Sequence, residues 1–156
     1  MHRVLCDTCA LIWLATGDAR LSRSARAVMR DAELLCFSSI SIWEVARKVK
    51  AGGLEIPVSP ALFADMLVKQ YGMKELPLDN VVMLRSSALP EIHKDPADRF
   101  IIATALLNDC FVVTGDRRFS EYGVETWPFA AVWSAAGFPL LRKRRKAKRG
   151  KRACDY

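Results

Sequence analysis

No apolar run in this 156-residue chain approaches the roughly 18 residues needed to span a bilayer. Asp7 also breaks any signal-peptide core that His2 and Arg3 would introduce, so the sequence points to a cytoplasmic protein with no membrane segment. Cysteine, odd in number at five, does not suggest a disulfide scaffold. Cys6, Cys36 and Cys110 fall within expected strands, where a free thiol packs as a small hydrophobe. Internal repeats are missing, which excludes a repeat array.

Most of the chain also lacks the positive charge that its composition suggests. The formal charge is +7, from 24 Lys and Arg against 17 Asp and Glu. Nine of those basic residues lie between Arg142 and Arg152, with Asp155 the one acid beside them, so the rest holds 15 basic and 16 acidic residues. The basicity is a tail, 142–156, with too little apolar content to fold alone, and disorder is expected there. Residues 1–141, in a chain that is 51% hydrophobic, suit one domain with a sizeable core.

What the chain does contain is an alternation of short apolar runs and helical patterns. Val4-Leu5-Cys6 ends at Asp7, and the helical stretch Ala10-Leu11-Ile12-Trp13-Leu14 follows at once. Leu34-Leu35-Cys36-Phe37 is a second run, and Cys110-Phe111-Val112-Val113-Thr114 another, ending at Gly115-Asp116. Such runs read as buried parallel strands. Glu75-Leu76-Pro77-Leu78 reads as a short strand whose proline favours an edge. Between them, helices are expected from Ser22 with Ala25, Val28, Met29 and Ala32 inward, through Glu44 to a stop at Gly52-Gly53, and from Ser59-Pro60 to near Gly72. Asp79 caps another through Val82, Met83 and Ser86; Asp95 caps one that begins at Pro96 and turns Ile101, Ile102 and Ala105 to the sheet.

Open α/β sheets bind ligands beyond the carboxyl ends of their strands. Asp7, Glu44, Asp98 and Asp116 each sit at a strand end or at the start of a following helix. Taken singly, two of them have a structural explanation. Asp98 in a first helical turn favours the helix dipole, and Ser41-Ile42-Trp43-Glu44 has the spacing of a capping box. Together, four acids on one edge repel each other unless a cation is bound.

These segments resemble the PIN-domain ribonucleases, and most of all the VapC-type toxins of prokaryotic toxin–antitoxin pairs. The resemblance rests on Asp7-Thr8-Cys9-Ala10-Leu11, Ser39-Ile40-Ser41-Ile42-Trp43-Glu44-Val45, Asp95-Pro96-Ala97-Asp98-Arg99 and Thr114-Gly115-Asp116, whose order and spacing carry more than any one of them. It covers residues 3–135. It implies a three-layer α/β/α fold around a parallel sheet, endoribonuclease activity dependent on Mg²⁺ or Mn²⁺, a homodimer, and inhibition by a DNA-binding antitoxin. The basic tail is not part of that pattern.

The chemistry is consistent with the residues. A carboxylate-held Mg²⁺ or Mn²⁺ can neutralise a phosphodiester and activate water. Asp7 and Asp98 are assigned as principal ligands, Glu44 and Asp116 as completing the pocket, and the hydroxyls of Thr8 and Thr114 as orienting water or as ordinary turn residues. Arg99 suits either substrate phosphate or a neighbouring carboxylate, and His93 is set aside as a general base because such a reaction needs no imidazole. Helices near 22–32 and 60–71 are candidate antitoxin contacts. Other classes fit less well. Cys6-Asp7-Thr8-Cys9 has thiol-oxidoreductase spacing, but Cys6 lies in a strand. A receiver-like module would need an adjacent acidic pair after the first strand. A non-catalytic nucleic-acid-binding module acting through the tail is the main alternative.

Overall fold

The structure, a computed structural model, describes residues 2–128. The basic tail 142–156 lies outside these residues. Twelve elements follow in the described part: β1 Arg3–Cys6, α1 Thr8–Thr16, α2 Arg23–Arg30, β2 Leu34–Ser38, α3 Ser39–Lys50, α4 Pro60–Lys69, β3 Lys74–Leu76, α5 Asn80–Ser87, α6 Pro96–Asn108, β4 Phe111–Val113, α7 Arg118–Glu121 and β5 Thr126–Trp127. The strands form one sheet in the order β3-β2-β1-β4-β5, and every neighbouring pair is parallel.

Alternation along the central strands builds two cores. Val4, Cys6, Phe37 and Val113 face one side, packed with Leu11, Met29, Val45, Phe63 and Leu67. Leu5, Cys36 and Val112 face the other, packed with Ile101, Ile102 and Phe119. Successive side chains of a strand point to opposite faces, so apolar residues at every position require cover on both. The result is the three-layer α/β/α arrangement expected from the sequence. Burying side chains such as Phe37 or Ile101 contributes about 1.5–3 kcal/mol each, enough to fix the register.

The helix signals map closely onto the elements. Ser22, Ser59, Asp79 and Asp95 accept hydrogen bonds from first-turn amides of α2, α4, α5 and α6, and Pro60 and Pro96 open their helices. β3 is an edge strand as expected, but it runs Lys74–Leu76, so Pro77 and Leu78 lie just beyond its end, where a missing backbone N–H costs no ladder bond. Three further details differ. α2 ends at Arg30, so Ala32 packs on the core from beyond the helix. Cys110 is buried just ahead of β4 rather than within it. The elements α7 and β5 follow Asp116; β5 is two residues long, too short to leave a periodic pattern.

Strand order positions the site. The chain steps outward from β1 to β2 and β3, then returns to lay β4 on the other side of β1. The reversal between β1 and β4 opens a crevice at their carboxyl ends. Asp7 and Asp116 follow the two strands that border it.

Candidate active site

Asp7 is the last residue before α1 and caps that helix, its Oδ1 accepting from Ala10 N at 2.7 Å. Its own amide donates to the Val113 carbonyl at 3.2 Å, which ties the ends of β1 and β4. The carboxylate is buried at 8% exposure. Burial pushes its pKa up to about 7; hydrogen bonds from Thr114 and Ala10 oppose that shift, while the charges of Asp98 and Glu44 add to it. Thr114, itself buried, also accepts from the Asp116 amide at 3.1 Å. One hydroxyl thus joins two of the acids.

Glu44 reaches the site from the second turn of α3. Thr8 Oγ1 donates to its Oε2 at 2.6 Å, and Lys48 one turn on pairs with Oε1 at 2.6 Å. The capping-box reading of Glu44 does not hold. α3 begins at Ser39, and Ser41 is a buried residue inside it whose hydroxyl lies 3.1 Å from Thr8 Oγ1. The helix starts directly off β2 and needs no separate cap three residues later.

Asp98 sits in the first turn of α6, and Asp95 rather than Asp98 provides the cap. Burial raises the Asp98 pKa to about 6; His93 opposes this, and Asp95, Glu44 and Asp116 reinforce it. Asp116 is in the opposite state. Arg118 binds it through Nε to Oδ1 at 3.1 Å and Nη2 to Oδ2 at 2.7 Å, and holds its carboxyl well below the usual carboxylate range. His93 Nε2 lies 2.8 Å from Asp116 Oδ2 and 3.2 Å from Asp98 Oδ2.

A family model for the PIN domain matches residues 4–125. The chain belongs to the PIN-domain family. It is 28% identical over 123 residues to Ribonuclease VapC22 of Mycobacterium tuberculosis, covering 78% of this chain and 93% of that protein. Its fold is similar to that of DNA-bound VapBC from Salmonella typhimurium, with a TM-score of 0.57, 17% identity, and coverage of 83% of this chain and all of the other. VapBC2 from Rickettsia felis, bound to a promoter DNA fragment, gives a TM-score of 0.60 at 11% identity, covering 81% and 98%.

In this PIN domain the four acids share an electrostatic neighbourhood but not one contact shell. Asp98 feels Glu44 and Asp116, and Asp7 feels Asp98 and Glu44. Among the described residues, one ligand atom each from His93, Asp98 and Asp116 lie within 4.8 Å of one another. Carboxylate oxygens that stay desolvated and crowded are a donor set suited to a hard divalent cation. His93, set aside in the sequence as a general base, is 3% exposed and wedged between two acids from different elements, contacts the sequence did not announce. Its only local signal is its place two residues before a helix cap. The Arg99 guanidinium is taken up by the backbone: it donates to the carbonyls of Ser86, Leu89, Pro90 and His93, with Glu91 at 3.4 Å.

Proposed function

We propose that this PIN domain is a metal-dependent endoribonuclease and acts as the toxin of a toxin–antitoxin pair. The observation that carries this reading is the pair Asp7 and Asp98. Both are carboxylates with raised pKa at the switch point of the sheet, and among the described residues neither is in a salt bridge with Lys or Arg. Two such groups remain ionised together only at a cost, unless a cation neutralises them. The likeness to Ribonuclease VapC22 supports RNA as substrate, and the likeness to VapBC assemblies supports an antitoxin partner.

Mg²⁺ or Mn²⁺ held by Asp7 and Asp98, with Glu44 and Asp116 completing the pocket, would neutralise the scissile phosphodiester and make the attacking water more acidic. The chain's own groups prepare that pocket. Thr8 holds Oε2 of Glu44 and Lys48 holds Oε1, which fixes the orientation of that carboxylate. Thr114 holds Asp7 and the Asp116 backbone in fixed relation. Arg118 keeps Asp116 ionised, and with Lys48, paired to Glu44, it places positive charge at the rim, where an RNA backbone would approach. No described helix is long and apolar enough to cross a membrane; we take the protein to act in the cytoplasm, as a homodimer.

The test is cleavage of a labelled structured RNA with Mn²⁺, with Mg²⁺ and with chelator, beside Asp98→Asn purified identically to control for contaminating ribonuclease. Metal-dependent cutting by the wild-type chain alone is expected. Equal cutting by the variant, or cutting unaffected by chelator, contradicts the reading.

A further inference from the structure

His93 has surroundings built to hold it. Its amide donates to the Tyr122 hydroxyl at 2.6 Å, its carbonyl accepts from Arg99 Nη1 at 3.3 Å, and its ring meets the edge of Phe119 with centroids 6.0 Å apart. Backbone and ring are therefore gripped from α6, from α7 and from the residue that follows it.

The two ring nitrogens face different groups. Nδ1 lies 3.3 Å from the Asp95 amide, which has only a proton to offer, so Nδ1 presents its lone pair. In the neutral ring the proton then sits on Nε2, the atom that faces Asp116 Oδ2 at 2.8 Å and Asp98 Oδ2 at 3.2 Å. A carboxylate has no proton to give back, so donation from Nε2 to Asp116 is the arrangement that satisfies both ring nitrogens.

We propose that His93 is a positioning residue: its Nε2–H donates to Asp116 while the same ring edge stands 3.2 Å from Asp98, which holds the acid of α6 and the acid after β4 in one pocket. It is neither the general base nor a ligand through Nε2, because its one free lone pair is turned toward Asp95 and away from the acids. The role rests on the metal-dependent nuclease reading for its consequence, but not for its geometry. Groups that orient ligands in this way typically change metal affinity by about 10–100-fold when removed.

Three measurements test it on the full chain. Ring-nitrogen NMR of the metal-free wild-type protein is expected to show Nε2 protonated and Nδ1 unprotonated. Calorimetric titration with Mn²⁺ is expected to show affinity about 10–100-fold weaker in His93→Ala, and largely restored in His93→Gln, whose amide can donate from near the position of Nε2. RNA cleavage should follow the same order. A ring protonated on Nδ1 alone, equal loss in the alanine and glutamine variants, or no loss in either, overturns the proposal. If His93→Ala does not fold, the NMR result and the glutamine variant still decide. A wild-type chain that neither binds Mn²⁺ nor cuts RNA defeats the nuclease reading instead, and leaves the NMR result to judge the donation from Nε2.

Discussion

The candidate site divides into two halves that the same fold treats differently. Glu44 and Asp116 each have an internal cation: Lys48 one helical turn along α3, and Arg118 two residues along the chain. Asp7 and Asp98 have no Lys or Arg partner among the described residues, and burial raises the pKa of both above that of an ordinary aspartate. The lesson is that acids clustered at a strand edge are not equivalent. On the proposed reading, the half already paired orients and polarises, and the half left in want of positive charge takes the external cation.

The largest expected effect is on catalysis. Asp7→Asn and Asp98→Asn should each lower RNA cleavage by about 10³-fold or more, whereas Glu44→Gln and Asp116→Asn should still bind Mn²⁺ within about 10–100-fold of wild type. Equal loss of Mn²⁺ affinity across all four, read by calorimetry, would erase the distinction between the halves.

Stability without metal sharpens it next. Asn at position 7 keeps an oxygen for the Ala10 amide and removes a desolvated charge, so Asp7→Asn should be more stable than wild type by about 1–3 kcal/mol near neutral pH in chelator. Glu44→Gln gives up an ion pair half in solvent and should be unchanged or less stable by up to about 1 kcal/mol. Denaturant melts of both variants measure the difference.

The pH dependence follows from the same groups. The folded Asp7 pKa is about 7 against an ordinary 3.8, so the folded state keeps a proton that the unfolded chain has released. That contribution is fully present below the unfolded value and is lost as pH rises through about 7; Asp98, raised to about 6, adds in the same direction. In chelator the melting temperature should therefore fall between about pH 4 and pH 7, and saturating Mn²⁺ should flatten or reverse the fall. Asp7→Asn should remove most of it. The smallest expected effect is from the tail: deleting 142–156 should weaken RNA binding and its salt dependence, with metal-dependent cleavage retained.

Much of the fold was legible because its signals are local. Short apolar runs ending in Asp7 and in Gly115-Asp116 mark β1 and β4 through neighbours in sequence alone, and Asp95-Pro96 marks α6 through a cap and a fixed φ. Glu44 was read for its chemistry but misread for its local alternative, because Ser41-x-x-Glu44 mimics a cap that the direct passage from β2 into α3 makes unnecessary. His93 was hidden for a different reason. Its partners come from α6 and from the turn after β4, and no spacing in the sequence announces a contact made only when those ends meet. The division between neutralised and bare acids was half visible: Lys48 stands four residues after Glu44 on one helix face, but the burial that raises Asp7 belongs to the packed sheet.

The central claim, that Asp7 and Asp98 are the half prepared for a cation, is tested most directly by counting protons released when Mn²⁺ binds the metal-free protein. Calorimetric titration at about pH 6.5, in buffers of different ionisation enthalpy, should show about one proton released per Mn²⁺ bound, falling toward zero above about pH 8. Mn²⁺ binding with no proton release at the lower pH would contradict it, because the cation would then be held by carboxylates that were already charged.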